Sequence, residues 1–121
     1  IVETEQELQN LQREAEASST ALAKLGQAGE MLEKCGFDEK VIFEVLGPLI
    51  LGNAENIVKK GTKDALTGPV ERGDDTTVLK HMSVLGGDDY ILYKKLAQRT
   101  LTLAKKKHPE RNYNNMMEAL K

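Results

Sequence analysis

Apolar and small residues recur at alternating spacings of three and four along residues 8–32: Leu8, Leu11, Ala15, Ser18, Leu22, Leu25, Gly29 and Leu32. A strict heptad-like stripe of this kind predicts one long helix over residues 3–35. The middle of the stripe is small (Ala15, Ala17, Ser18, Ser19, Ala21, Ala23), which lets a second helix approach closely. Gly26 and Gly29 weaken helix propensity by about 1 kcal/mol each against alanine, so close packing or a local break is expected there. Gly36 follows as the terminating residue, with Lys34 near the negative end of the helix dipole. Such a helix is roughly 50 Å long at 1.5 Å per residue. It outreaches the core of a small domain, so part of it is expected to pack against a second chain or another domain.

Asp38 is placed to cap a second helix whose apolar face begins at Val41 and Ile42. Pro48 after Gly47 is expected to break or kink it. A further segment then runs from Pro48 to Lys60, with Leu46, Leu49, Ile50, Asn53 and Ile57 on one side, and Gly61 closes it. Residues 61–74 have no clean period and are expected to form the longest loop, a frequent place for function. Asp74 then caps a helix through Leu85, with Val78, Met82 and Leu85 facing inward, and Gly86 and Gly87 stop it. Asp88 or Asp89 starts the next helix, which runs to about Lys107 with Leu92, Leu96, Leu103 and Ala104 on its apolar side. Lys105, Lys106 and Lys107 suit the end of that helix dipole. Pro109 is expected to open a last short helix to Leu120. No segment alternates with period two, and no repeat of 20–50 residues is visible. The expected fold is an all-α bundle of five or six helices with one long N-terminal helix, forming a single domain over residues 1–121.

Composition narrows this further. Aromatic residues make up 4% and Trp is absent, so the core must be built from Leu, Ile, Val, Ala and Met, which favours helix on helix over a β-sandwich. The net charge is −2, which gives no general attraction to nucleic acid. The charge is uneven: residues 1–40 hold nine acids and four bases, whereas residues 41–121 hold ten acids and thirteen bases. The mildly basic second part suits an anionic ligand or no ligand at all. One cysteine, Cys35, can form no internal disulfide, and no Cys/His cluster has metal-ligand spacing. A reducing, cytoplasmic setting is expected. The longest apolar candidate, Val41 to Val58, is interrupted by Glu44, Pro48, Asn53 and Glu55, so no membrane span is expected. The acidic start does not read as a signal peptide.

Few side chains stand out as chemistry. Asn53 interrupts an apolar stripe and Asn56 follows three residues on; the pair either bridges helices or faces a ligand. His81 lies beside the inward face of its helix, as a structural histidine or as a proton donor. His108, next to Pro109, reads as a dipole or capping residue. The segment Leu66-Thr67-Gly68-Pro69-Val70-Glu71-Arg72-Gly73-Asp74 is the densest polar cluster. Arg72 offers a rigid fork of donors for a carboxylate or phosphate, or else sits solvated in a surface turn. No glycine-rich dinucleotide turn, phosphate loop or nucleophile motif is present in the sequence.

Three stretches, LGPLILGNAENI (46–57), ALTGPVERGDDTTVLKHM (65–82) and YKKLAQRTLTLA (93–104), resemble the C-terminal helical domain of a family of Rossmann-like oxidoreductases. Those proteins are similar in plan to phosphogluconate, ketopantoate and pyrroline carboxylate dehydrogenases and reductases. The resemblance covers about residues 10–107 and implies a dehydrogenase C-terminal-domain-like fold. It also implies an N-terminal Rossmann domain, absent from this chain, that binds NADP, together with a small carbonyl or imine substrate and a homodimer. The cleft-facing residues it implies are Asn53 and His81 as candidate catalytic groups, with Asn56, Thr67, Gly68 and Arg72 as substrate contacts. The related hydroxyacid dehydrogenases use a lysine one turn before a catalytic asparagine. Here that position is Leu49, so their mechanism does not carry over. The reading from another class is a non-enzymatic helical dimerisation or scaffold module. A third is a regulatory domain binding a small anion at the Arg72 loop.

Overall fold

In the computed structural model, which describes residues 5–121, α1 (Glu5–Lys34) and α2 (Glu39–Ala65) are followed by α3 (Pro69–Arg72), α4 (Asp75–Val84), α5 (Gly87–Lys107) and α6 (Asn114–Ala119). The described residues contain no strand, so the chain is all-α. Residues 3 and 4 of the expected first helix lie outside the described residues, as do the side chains of Leu11 and of residues 14–20. The seam positions Leu11, Ala15 and Ser18 and the small residues Ala17 and Ser19 are among these. The chain divides into two compact units, residues up to Leu51 and residues from Gly52 onward.

In the first unit α1 ends in a Schellman motif. The Gly36 amide donates to the Glu33 carbonyl at 2.9 Å and the Phe37 amide to the Leu32 carbonyl at 3.1 Å, with Gly36 at φ 94. Asp38 then caps α2: its carboxylate accepts from the Lys40 amide at 3.1 Å. The two helices meet where the seam is smallest. A Cβ on Gly29 would stand 3.7 Å from both Ile42 Cγ2 and Phe43 Cζ, and Ile42 is almost fully buried. Gly29 therefore has the packing reason its position suggested, whereas nothing lies within 4 Å of a Cβ on Gly26. Leu8 and Leu22 of the stripe are exposed.

Pro48 lies inside α2 without ending it, so of the expected break or kink the break does not occur. Its predecessor Gly47 has no Cβ to collide with the proline ring, and Glu44, whose carbonyl loses its partner, is solvent-exposed. The break comes at Gly61, where φ is 81 and ψ 168. The stretch Glu39–Arg72 contains an 18-residue window of mean hydropathy 1.4, only 6% of it buried. By length and composition alone this stretch is long and apolar enough to cross a membrane, with Glu44, Pro48, Asn53 and Glu55 interrupting it. Val41, Phe43, Val45, Leu49 and Leu51 are all exposed along it.

The second unit holds the larger core. Val70 from α3, Val78 and Met82 from α4, and Ala97, Leu101 and Ala104 from α5 pack with Tyr113, Met116 and Leu120. The spacings 78/82, 97/101/104 and 116/120 are helical, so each element contributes one stripe. The expected loop 61–74 is much shorter than the sequence suggested: Thr62–Ala65 and α3 are helical, leaving Leu66–Gly68 as the connection. Pro69 starts α3, where its missing N–H costs nothing. Gly68 at φ 108 and Gly73 at φ 74 take the backbone into and out of this single turn, in a region L side chains rarely adopt. Asp74 caps α4 as expected, accepting from the Thr77 amide at 3.1 Å and the Thr77 hydroxyl at 2.7 Å. Pro109 does not open α6. Residues 108–113 form a turn in which the Arg111 amide donates to the His108 carbonyl at 3.1 Å, and the Asn112 side chain accepts from the Asn114 amide at 2.8 Å.

Candidate functional site

The segment carrying Thr67 is held by a charged clamp. Lys107, in the last turn of α5, donates to the Leu66 carbonyl at 2.8 Å and the Asp64 carbonyl at 3.3 Å. These carbonyls lie near the end of α2, where the helix leaves acceptors without internal partners. Glu71 of α3 closes the other side. His108 Nε2 donates to its carboxylate at 2.6 Å, and Lys107 Nζ and Arg111 Nη1 lie 3.7 and 3.9 Å away. The Glu71 carbonyl accepts from Arg111 at 2.8 Å and from the Tyr113 hydroxyl at 2.6 Å. Its side chain is only 13% exposed. The His108 hydrogen bond, helped by the nearby cations, holds the carboxyl below its ordinary range despite burial. His108 does cap α5 through its backbone, but its ring belongs to this clamp.

Two hollows meet at Thr67. One, of about 270 Å³, is lined by Asn53, Ile57, Thr62, Ala65, Leu66 and Leu103 as well as Thr67. The other, of about 340 Å³, lies among Pro69, Val70, His81, Tyr93, Leu96, Ala97 and Thr100, again with Thr67 at its edge. Both volumes suit a small ligand or one end of a larger one.

The second hollow contains a coupled pair. His81 Nδ1 lies 2.8 Å from the Tyr93 hydroxyl, and the rings stand edge to face at 5.7 Å and 87°. The local fold explains why. Tyr93 extends the buried stripe Ala97, Leu101, Ala104 by one turn, and His81 borders the stripe of Val78 and Met82. The short joint at Leu85 and Gly86 sets the two helices side by side, bringing together rings twelve residues apart. Burial pushes the Tyr93 phenol up, so it keeps its proton at neutral pH. Which partner donates depends on the imidazole tautomer. His81 itself is exposed and is part of the hollow's lining.

The residues singled out from sequence are placed unevenly. Thr67 lines both hollows, Asn53 the first and His81 the second. Gly68 shapes the turn between them. Asn56 is exposed and lines neither hollow. Arg72 also lies outside both; its side chain is 59% exposed and its guanidinium stands 3.8 Å from the Asp74 carboxylate. Sequence reasoning gave Tyr93 and Glu71 no role and Lys107 only one at the end of the helix dipole. The i, i+4, i+8 relation of Tyr93 to Ala97 and Leu101 was a usable signal, but its proximity to His81 was not readable without the packing of α4 on α5.

Among the described residues no strand leads through a glycine-rich turn into a helix, so no dinucleotide cradle is built here. No three His, Cys, Asp or Glu side chains among them gather as metal ligands. Comparison with known families finds a match over residues 13–100 to a family described as a domain of unknown function, DUF2520. No curated protein and no solved structure matches the chain.

Proposed function

This chain belongs to the DUF2520 family, and from that premise we propose that it is the substrate-side and dimerisation domain of an NADP-linked oxidoreductase acting on a small carbonyl or imine. The observation that carries the reading is the His81–Tyr93 pair at 2.8 Å, set into a hollow of carbon-rich walls. An imidazole whose ring is fixed by a phenol, beside apolar surface, can supply the proton a reaction needs when a carbonyl oxygen or imine nitrogen gains charge. His81 would hold that proton at its outer nitrogen, Tyr93 would fix the ring, and the Thr67 hydroxyl and the Asn53 amide would orient the substrate from either side of the Leu66–Gly68 turn. The clamp of Glu71, Lys107, His108 and Arg111 would keep that turn rigid. NADP is assigned to the N-terminal Rossmann domain that the family resemblance implies, and hydride transfer is the chemistry it supplies when bound. The described residues of this chain build no cradle for the dinucleotide. Arg72 is left to the cap region of α4.

A second copy of the chain is the cover we propose for the exposed apolar positions of α2 and for Leu8 and Leu22 of α1. Those same positions favour the second reading, a non-enzymatic dimerisation module. The experiment uses the full-length protein: NADPH binding by fluorescence, then NADPH consumption with a panel of small ketones, aldehydes and imines. We expect His81→Gln to retain NADPH binding and to lose roughly 10²–10⁴ in kcat. A full-length protein that binds no NADPH but dimerises tightly would leave only the module.

A further inference from the structure

We infer that the His81–Tyr93 hollow receives an uncharged, largely apolar substrate group bearing one hydrogen-bonding heteroatom, and that no carboxylate or phosphate is seated there. This rests on the reading just given and names the substrate class of that same site.

A census of its polar atoms carries the inference. The Thr100 hydroxyl is spent on its own helix, donating to the Leu96 carbonyl at 2.9 Å. The Tyr93 hydroxyl is spent on His81 Nδ1 at 2.8 Å. Among the lining side chains, what remains for a ligand is His81 Nε2 and the Thr67 hydroxyl. The rest of the lining is Pro69, Val70, Leu96 and Ala97. Two polar side chains in an otherwise apolar lining suit one carbonyl oxygen or imine nitrogen, with the carbon skeleton against the apolar wall.

The cations of this region are committed elsewhere. Lys107 serves two backbone carbonyls and Glu71. Arg111 serves the Glu71 carboxylate and carbonyl. Arg72 stands beside Asp74 in solvent. No lysine or arginine lines the hollow. An anion entering it would lose its hydration without gaining a fixed counter-charge, which is strongly unfavourable. The basic residues of the chain's second part, which suggest an anionic ligand on composition alone, therefore do not reach this site.

The test compares two probes of one shape on the full-length protein: cyclohexanone and cyclohexanecarboxylate, followed through the methyl resonances of Val70, Leu96, Ala97 and Thr67. Cyclohexanone should shift these signals saturably, and His81→Ala should weaken that binding at least fivefold. The carboxylate should give no saturable shift at the same methyls. Equal or tighter carboxylate binding there overturns the inference, as does cyclohexanone that shifts none of them or binds His81→Ala undiminished. NADPH titration of the same sample separates the two readings. NADPH binding with a carboxylate preference sinks only the substrate class. Ketone binding without NADPH binding sinks only the oxidoreductase.

Discussion

Replacing Glu71 by glutamine keeps the volume of the clamp and removes its negative charge. In the wild-type protein the carboxylate accepts a 2.6 Å hydrogen bond from His108 and lies 3.7 and 3.9 Å from Lys107 and Arg111. A hydrogen bond to a charged group contributes about 1.5–3 kcal/mol and a neutral one about 0.5–1.5, so the exchange costs roughly 1 kcal/mol. The two longer ion pairs add only about 0.5 kcal/mol together, because Arg111 is 38% exposed and solvent screens it. The total, about 1.5 kcal/mol, corresponds to a fall in Tm of roughly 6–12 °C for a unit of this size. The sign with pH follows from the lowered carboxyl. Below its ordinary value of 4.5 the unfolded chain binds the proton before the folded one does. Stability from Glu71 is therefore fully present above that value and is lost as pH falls through the folded pKa. Thermal unfolding by circular dichroism, with wild type and Glu71→Gln compared from pH 7 down to pH 2, should show a gap in Tm that is constant at neutral pH and closes in acid. A gap below about 2 °C at pH 7, or one that stays unchanged into acid, would refute the reasoning.

Other perturbations follow from the same geometry. Asp74→Ala removes the acceptor for the Thr77 amide and hydroxyl and should cost about 1 kcal/mol in urea unfolding; a change within experimental error would show that the cap is idle. Gly73→Ala has room, its Cβ meeting Tyr113 at an ordinary 3.8 Å, so a loss of about 1–2 kcal/mol should come from the left-handed backbone alone; an unchanged midpoint would count against that strain. For the reaction proposed for the full-length protein, Tyr93→Phe should lower kcat roughly fivefold, the worth of one hydrogen bond. It should displace the pH profile of kcat while leaving KM nearly unchanged. A profile that stays in place would reduce Tyr93 to a packing residue.

Much of the fold follows from signals that act within a few residues. The three-four stripe made α1 legible, the side chains of Asp38 and Asp74 found amides two or three residues on, and Gly36 and Gly61 marked places that need positive φ. Each is decided by the local backbone, so sequence alone suffices. The site is less local. Thr67, Asn53 and His81 were legible as candidates, but only the fold sets Thr67 between the two hollows and leaves Asn56 and Arg72 outside them.

Where tertiary structure decided the outcome, the physical reason is sequence distance or compensation. Pro48 stays inside a helix because Gly47 removes the clash and an exposed face can hydrate the freed carbonyl. The stretch after Gly61 is helical and short-looped because Lys107, more than forty residues away, accepts the task of satisfying its carbonyls. His81 meets Tyr93 across twelve residues, and Glu71 meets His108 across thirty-seven. Residue type and local period show what each side chain can do; only the packing of α3, α4 and α5 around one apolar core determines which of them do it together.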